Sequence, residues 1–189
     1  VNMSRQPFRF KQFSVSDEHS AMKVNTDGVL LATWSDVPGK GRILDIGTGC
    51  GIIALILAQR SHCRIDAIDV HKGSVEDAFR NFENSPWPDR LFAYHSSLKE
   101  FAGSGRYDLV ISNPPFFSKS LLSPEETKNI VRHDQSLRIQ DLVEAAAKLL
   151  NRYGTFSVIL PIQRFVDIDH TACRVGLHCR RKTLVFPRS

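Results

Sequence analysis

The chain has 189 residues, 42% of them hydrophobic and 24% charged, with a net charge of +5. That length suits one domain with a full core, and the composition excludes wholesale disorder. No apolar run approaches the roughly 20 residues of a membrane span, the opening VNMSRQPFRF lacks a signal-peptide core, and Cys50, Cys63, Cys173 and Cys179 form no C-x-x-C pair, which argues against a disulfide framework or a metal site.

A single cytoplasmic domain with reduced thiols is therefore expected. Both ends are basic. Arg5, Arg9 and Lys11 precede the first acid, Asp17, and Arg174, Arg180, Arg181, Lys182 and Arg188 follow His170 with no acid among them. A polyanionic partner would suit such ends, and so would a merely solvated surface.

In chain order, apolar spacing predicts a strand over 42–47 (RILDIG), a helix over 51–60 and a strand over 64–70. A helix over 74–84, ended by Pro86 and Pro88, and a strand over 91–96 follow. Then come a strand over 107–112, a helix over 137–151, a strand over 154–161, a helix over 162–175 and a strand over 177–186. Repeated β-α-β crossovers demand an α/β fold, a doubly wound and mostly parallel sheet with helices on both faces. The long stretch 113–136 starts at a strand's carboxyl end and carries little regular pattern, as a substrate lid would.

Two stretches carry chemistry. In LDIGTGCGI, Asp45, Gly47, Gly49 and Gly51 fill the turn between the first central strand and its helix, where doubly wound sheets bind ligands, and Asp69 ends the next strand where ribose hydroxyls are accepted. A dinucleotide site would prefer G-x-G-x-x-G to seat a pyrophosphate. Here a carboxylate precedes the glycines, which disfavours phosphate and favours an ammonium or sulfonium group, and the cofactor stays open on these residues alone.

The second stretch is SNPPFF. A residue before proline is pushed to extended backbone, so Asn113 leaves its strand extended, and Pro114 and Pro115 add rigidity without donors. The Asn113 side-chain oxygen and the Pro114 carbonyl could accept both hydrogens of an exocyclic amine, while Phe116 offers a stacking face worth about 1–3 kcal/mol for a base. Phe117 is read as lid packing. None of the seven histidines is given a catalytic role, and His95 and His133 are read as structural or surface groups.

The glycine loop resembles the first motif of class I S-adenosylmethionine (SAM) dependent methyltransferases, whose fold is Rossmann-like. Asn113 to Phe116 resemble the Asn/Asp-Pro-Pro-Tyr/Phe motif of methyltransferases acting on adenine N6, guanine N2 or glutamine N5. Residues 8–34 (FRFKQF to GVLLATW) and 132–150 (RHDQSLRIQDLVEAAAKLL) resemble the bacterial tRNA1(Val) adenine-37 N6-methyltransferase family.

That resemblance implies an N-terminal hairpin extension over 1–34 and a fourth strand lying beside the first. It implies Lys23, Thr26 and Asp27 near SAM, Asp45, Gly47, Gly49, Gly51, Asp69, Ser97 and Asn113 binding it, and Asn113, Pro114, Pro115 and Phe116 presenting an adenine of a tRNA anticodon loop to a monomeric, metal-free enzyme. A protein glutamine N5- or rRNA guanine N2-methyltransferase is the alternative, and a non-catalytic SAM-binding RNA module is disfavoured by the intact Asn113 to Phe116. Two departures stand out. Ser96-Ser97-Leu98 replaces a usual Gly-Asp before an apolar residue, and the sequence stops after KTLVFPRS, so the sheet is expected to lack its last strand.

Overall fold

A computed structural model describes residues 6–101, 106–115 and 138–186. Five parallel strands form the sheet: β3 (Arg42–Ile46), β4 (Arg64–Asp69), β5 (Leu91–His95), β6 (Tyr107–Ser112) and β7 (Leu150–Val158), in the order β5-β4-β3-β6-β7. The fourth of the expected strands, β6, pairs with the first, β3, as the resemblance implied. Two short strands, β1 (Phe8–Arg9) and β2 (Ser14–Val15), pair antiparallel ahead of the sheet and make the hairpin.

The chain divides into two compact units, residues 1–113 with 149–159, and residues 114–148 with 160–189. In the first unit, the pleat sends Ile43, Ile65, Leu109 and Ile111 into one core, shared with Phe13, Val15, Leu31, Phe82 and the helix α2 (Ile52–Arg60). Residues Ile52 to Ala58 of α2 are all buried, so this helix is apolar on every side. Leu44, Ile46, Ile68 and Val110, on the opposite pleat, are also buried. Burial of both pleats explains why these strands read as nearly unbroken apolar runs. The helix α1 (Thr26–Trp34) packs on α2, and α3 (Lys72–Glu83) lies against β5 and β4.

In the second unit, α4 (Ile139–Leu149) buries Leu142, Val143 and Ala146, spaced along one stripe. A 3-10 turn over Ile162–Arg164 leads into α5 (Phe165–Arg174). Arg174 pairs with Glu144 at 3.6 Å, and the Lys182 ammonium lies 3.9 Å from the Phe165 ring centroid.

Two expectations are corrected, and one helix is added. Residues 177–186 form no strand: their apolar pattern has no pairing partner among the described residues, and a strand without a ladder leaves its backbone groups to water. Strand β7 begins at Leu150 rather than 154, because a register shift opposite Tyr107 and Leu109 lets Leu150 pair with Tyr107. And α1 went unforeseen, its apolar residues running consecutively through GVLLATW rather than at helical spacing.

Candidate active site

Register gathers the predicted residues at one end of the sheet. Ile46 pairs with Ile68 on one side and Ser112 on the other, so Gly47, Asp69 and Asn113 leave three neighbouring strands at the same level. The Ser112 hydroxyl donates to the Ile46 carbonyl at 2.8 Å and fastens the end of β6 to the end of β3.

The glycine loop is tied to β4. The N–H groups of Gly47 and Thr48 donate to Ile68 O at 2.9 and 3.0 Å. The Asp69 carboxylate accepts from the N–H groups of Gly49 at 2.9 Å and His71 at 2.8 Å, so it closes the loop while each oxygen keeps a lone pair. Gly47, Gly49 and Gly51 all adopt positive φ, 72°, 56° and 85°. The space differs between them. A Cβ on Gly47 would meet nothing within 4 Å, whereas one on Gly51 would come within 2.5 Å of the Phe82 ring. Gly47 thus leaves open room above the loop, and Gly51 lets α2 approach α3.

Asp45 lies beneath this loop, completely buried. Its Oδ2 accepts from the Thr48 hydroxyl at 2.6 Å, and its Oδ1 has no hydrogen-bond partner. Burial raises its pKa to about 7, with repulsion from Asp69 adding to the rise and the Thr48 hydroxyl and Ala54 N–H working against it. A half-satisfied buried carboxylate under an open glycine loop is suited to a cationic ligand and hostile to phosphate.

The N-terminal extension forms a further wall. The buried Asp77 of α3 accepts from the His19 N–H at 2.7 Å and the Ser20 hydroxyl at 2.9 Å, and lies 3.0 Å from His19 Nδ1. Burial pushes the Asp77 carboxyl up, but these contacts outweigh it and leave its pKa lowered. Asn81 accepts from the Ser16 N–H at 2.9 Å and donates to the carbonyls of Ser16 and Cys50, each at 2.8 Å. Met22 is thereby held beside the loop, its carbonyl 3.9 Å from a Cβ built on Gly49.

Of the residues expected in this wall, Thr26 and Asp27 are exposed at the start of α1. The Lys23 ammonium is engaged with the carbonyls of Asp17 and Glu18, closing its own turn. The residue that reaches the strand ends is Asn25. It caps α1 by accepting from the Gly28 N–H at 2.8 Å, and its Oδ1 also accepts from Asn113 Nδ2 at 3.3 Å. An Asn before Thr-Asp-Gly signals a helix cap in the sequence, but nothing there signals a contact across 88 positions.

Asn113 and Pro114 are buried, and Pro115 is exposed. Phe116, Phe117, His133 and most of the 113–136 stretch lie outside the described residues. Ser97, two residues past β5, donates its hydroxyl to Glu100 at 2.7 Å and holds that carboxyl below its ordinary range. His95 packs its Nε2 3.0 Å from the Val70 carbonyl. In the hairpin, Phe10 stacks on Phe13 at 4.7 Å, and Phe13 meets Trp87 edge-on at 5.8 Å. The cysteines are free, no metal-binding cluster of His, Cys, Asp or Glu occurs among the described residues, and no helix there is long and apolar enough to cross a membrane.

The methyltransferase small domain family matches residues 15–171. A Dyadobacter fermentans protein named tRNA1(Val) (adenine(37)-N6)-methyltransferase is 41% identical over 180 residues, 95% of this chain and 75% of its own length. Proteins of the same name from Trichodesmium erythraeum and Flavobacterium psychrophilum are 42% and 47% identical, covering 98% and 85% of this chain and 80% and 72% of their own. Among solved structures, the ribosomal protein L11 methylase of Lactobacillus delbrueckii subsp. bulgaricus superposes with a TM-score of 0.63 at 18% identity, over 84% of this chain and 71% of that one. A TehB-like SAM-dependent methyltransferase from Corynebacterium glutamicum gives 0.53 at 17% identity, over 82% and 74%. These two establish a shared fold.

Proposed function

The chain belongs to the methyltransferase small domain family and, within it, to the family of proteins named tRNA1(Val) (adenine(37)-N6)-methyltransferases, and on that premise we propose that it methylates the exocyclic N6 amine of an adenine in tRNA. The cofactor is SAM, which when bound supplies an electrophilic methyl group on a sulfonium. The residues that would hold it are Asp45, Gly47, Gly49, Gly51 and Asp69, with Lys23, Thr26 and Asp27 along one wall and Ser97 beyond Asp69. The orphaned Oδ1 of Asp45 and the open room over Gly47 fit a cationic, phosphate-free molecule.

The observation that carries the reading is the register that brings Asn113 out beside Gly47. An amine acceptor next to the cofactor loop is what methyl transfer to a planar nitrogen needs. Asn113 Oδ1 and the Pro114 carbonyl accept the two amine hydrogens, Pro115 stiffens the turn, and Phe116 stacks on the base. The chain's contribution is alignment, the largest available term for an in-line transfer. The aminium loses its proton readily once formed, so no strong base is needed.

The target adenine belongs to the anticodon loop, where extrusion of a base costs a few kcal/mol. Arg9 and Lys11, with Arg180, Arg181 and Lys182, supply cations for the phosphates. The enzyme acts as a monomer in the cytoplasm.

The test is incubation with labelled SAM and total tRNA from a strain lacking this activity, followed by digestion to nucleosides. N6-methyladenosine is the expected product. Label in N2-methylguanosine or in protein glutamine instead would overturn the reading. Asn113→Ala should lower turnover by about 100-fold, the scale of a lost alignment contact, with SAM affinity nearly intact.

A further inference from the structure

We propose that Asn25 is a positioning residue for the reaction: it fixes which way the Asn113 amide faces, and so which atom of Asn113 meets the substrate amine. This deepens the function proposed above and rests on it.

The orientation follows from a chain of donors and acceptors. The Gly28 backbone N–H can only donate, so the Asn25 atom it meets at 2.8 Å is an oxygen, Oδ1. The other branch of that amide, Nδ2, turns back to the Lys23 carbonyl at 3.4 Å, which can only accept. Both branches of Asn25 are thus set by backbone groups.

Its Oδ1 then faces Asn113 at 3.3 Å, and an oxygen facing a side-chain amide requires the nitrogen. A reversed Asn113 would bring two acceptors together inside a part-buried contact, with Asn113 itself only 9% exposed. Asn113 therefore gives Nδ2 to Asn25 and turns Oδ1 away from it, leaving the acceptor for an N–H donor. A reversed amide would offer the amine a donor and repel it.

The anchor is stiff for a physical reason. Asn25 is the cap of α1, so its side chain is fixed by the start of a helix that packs on α2. The N-terminal extension thereby controls a residue at the end of β6.

The test uses the 189-residue protein, single-turnover methyl transfer to tRNA, SAM titration and thermal melting. In Asn25→Ser the shorter side chain still caps α1 but does not span to Asn113. Its single-turnover rate should fall between about 10- and 100-fold, with SAM affinity and Tm at wild-type values. Asn25→Asp keeps an acceptor for both Gly28 and Asn113, loses only the long, exposed contact to the Lys23 carbonyl, and should recover most of the rate.

Combined with Asn113→Ala, Asn25→Ser should slow the reaction no further, because it acts through Asn113. A wild-type rate in Asn25→Ser, a loss that tracks Tm or SAM affinity, or an Asn25→Asp variant as slow as Asn25→Ser would each overturn the proposal. A wild-type protein that forms no N6-methyladenosine overturns the function itself, which separates the two failures.

Discussion

Asp45 and Asp66 occupy adjacent strands of the same sheet, and each is almost fully shielded from water. Because Asp45 pairs with Ala67, Asp66 points to the opposite face of the sheet. Asp66 is surrounded by donors. Arg42 Nη2 lies 2.7 Å from its Oδ2 and the Tyr107 hydroxyl 2.9 Å, while Arg64 Nε lies 3.2 Å from Oδ1 and the Tyr94 hydroxyl 3.4 Å. Asp45 has an oxygen with no partner; the Thr48 hydroxyl meets the other, and the Ala54 N–H is the further group that favours its charge. A buried charge with four partners ties strands together, while one that leaves an oxygen unpartnered is a cost that folding alone does not explain. On the function proposed above, the contrast is between an acid that ties strands together and one that would meet the SAM cation.

The largest test of that contrast is Asp45→Asn. In the folded protein Asp45 holds its proton up to about pH 7, against 3.8 as its ordinary value. The unfolded chain therefore loses this proton first as pH rises, and stability falls between those two values and then levels off. Removing the charge should stabilise the SAM-free protein by up to about 4 kcal/mol at pH 8 and by little at pH 4, while SAM affinity drops. Urea unfolding at the two pH values measures this, and an equal effect at both would refute the assignment.

Asp66→Ala should act in the opposite direction, destabilising by about 3 kcal/mol because Arg42 and Arg64 lose their counter-charge, with SAM affinity unchanged in calorimetry. A weakened affinity would show that the two acids are not separable.

The smallest effects come from removing one hydroxyl at each site. Tyr107→Phe should cost about 1–2 kcal/mol; burial and its bond to Asp66 both keep that phenol protonated far above neutral pH, so the loss should not vary across the neutral range. Thr48→Val should raise the Asp45 pKa further, so its cost should grow as pH climbs from 6 to 9. A flat profile for Thr48→Val would sink the comparison.

Much of this was legible in residue order. The five sheet strands and the helices α2, α3, α4 and α5 follow from apolar spacing, and the pairing of β6 with β3 followed from the resemblance that the two motifs carried. The hairpin at Phe8 to Val15 was likewise expected from resemblance alone, its two-residue strands being too short to show a period. The missing ladder at 177–186 was not readable, since a local pattern says which residues suit a strand and not whether another strand lies beside them.

For the site, the glycines, Asp45, Asp69 and the Asn-Pro-Pro turn stood out because their chemistry depends on neighbours in sequence: what precedes a proline, what lies between strand and helix. Three features depended instead on distance through space. The Lys23 ammonium is engaged with the backbone carbonyls of Asp17 and Glu18, because its own turn places both in reach. Gly51 is required by the Phe82 ring, from a helix that begins twenty-one positions later in the chain. And Asn25, unremarked in the sequence, meets Asn113 because the latch of His19 and Ser16 on α3 brings the extension back over the loop. Backbone preference and hydrophobic period act over a few residues, so they set the strands, the loop and the rigid turn. The orientation of an amide is set by whichever donors and acceptors packing brings to it, and that information exists only once the chain has closed on itself.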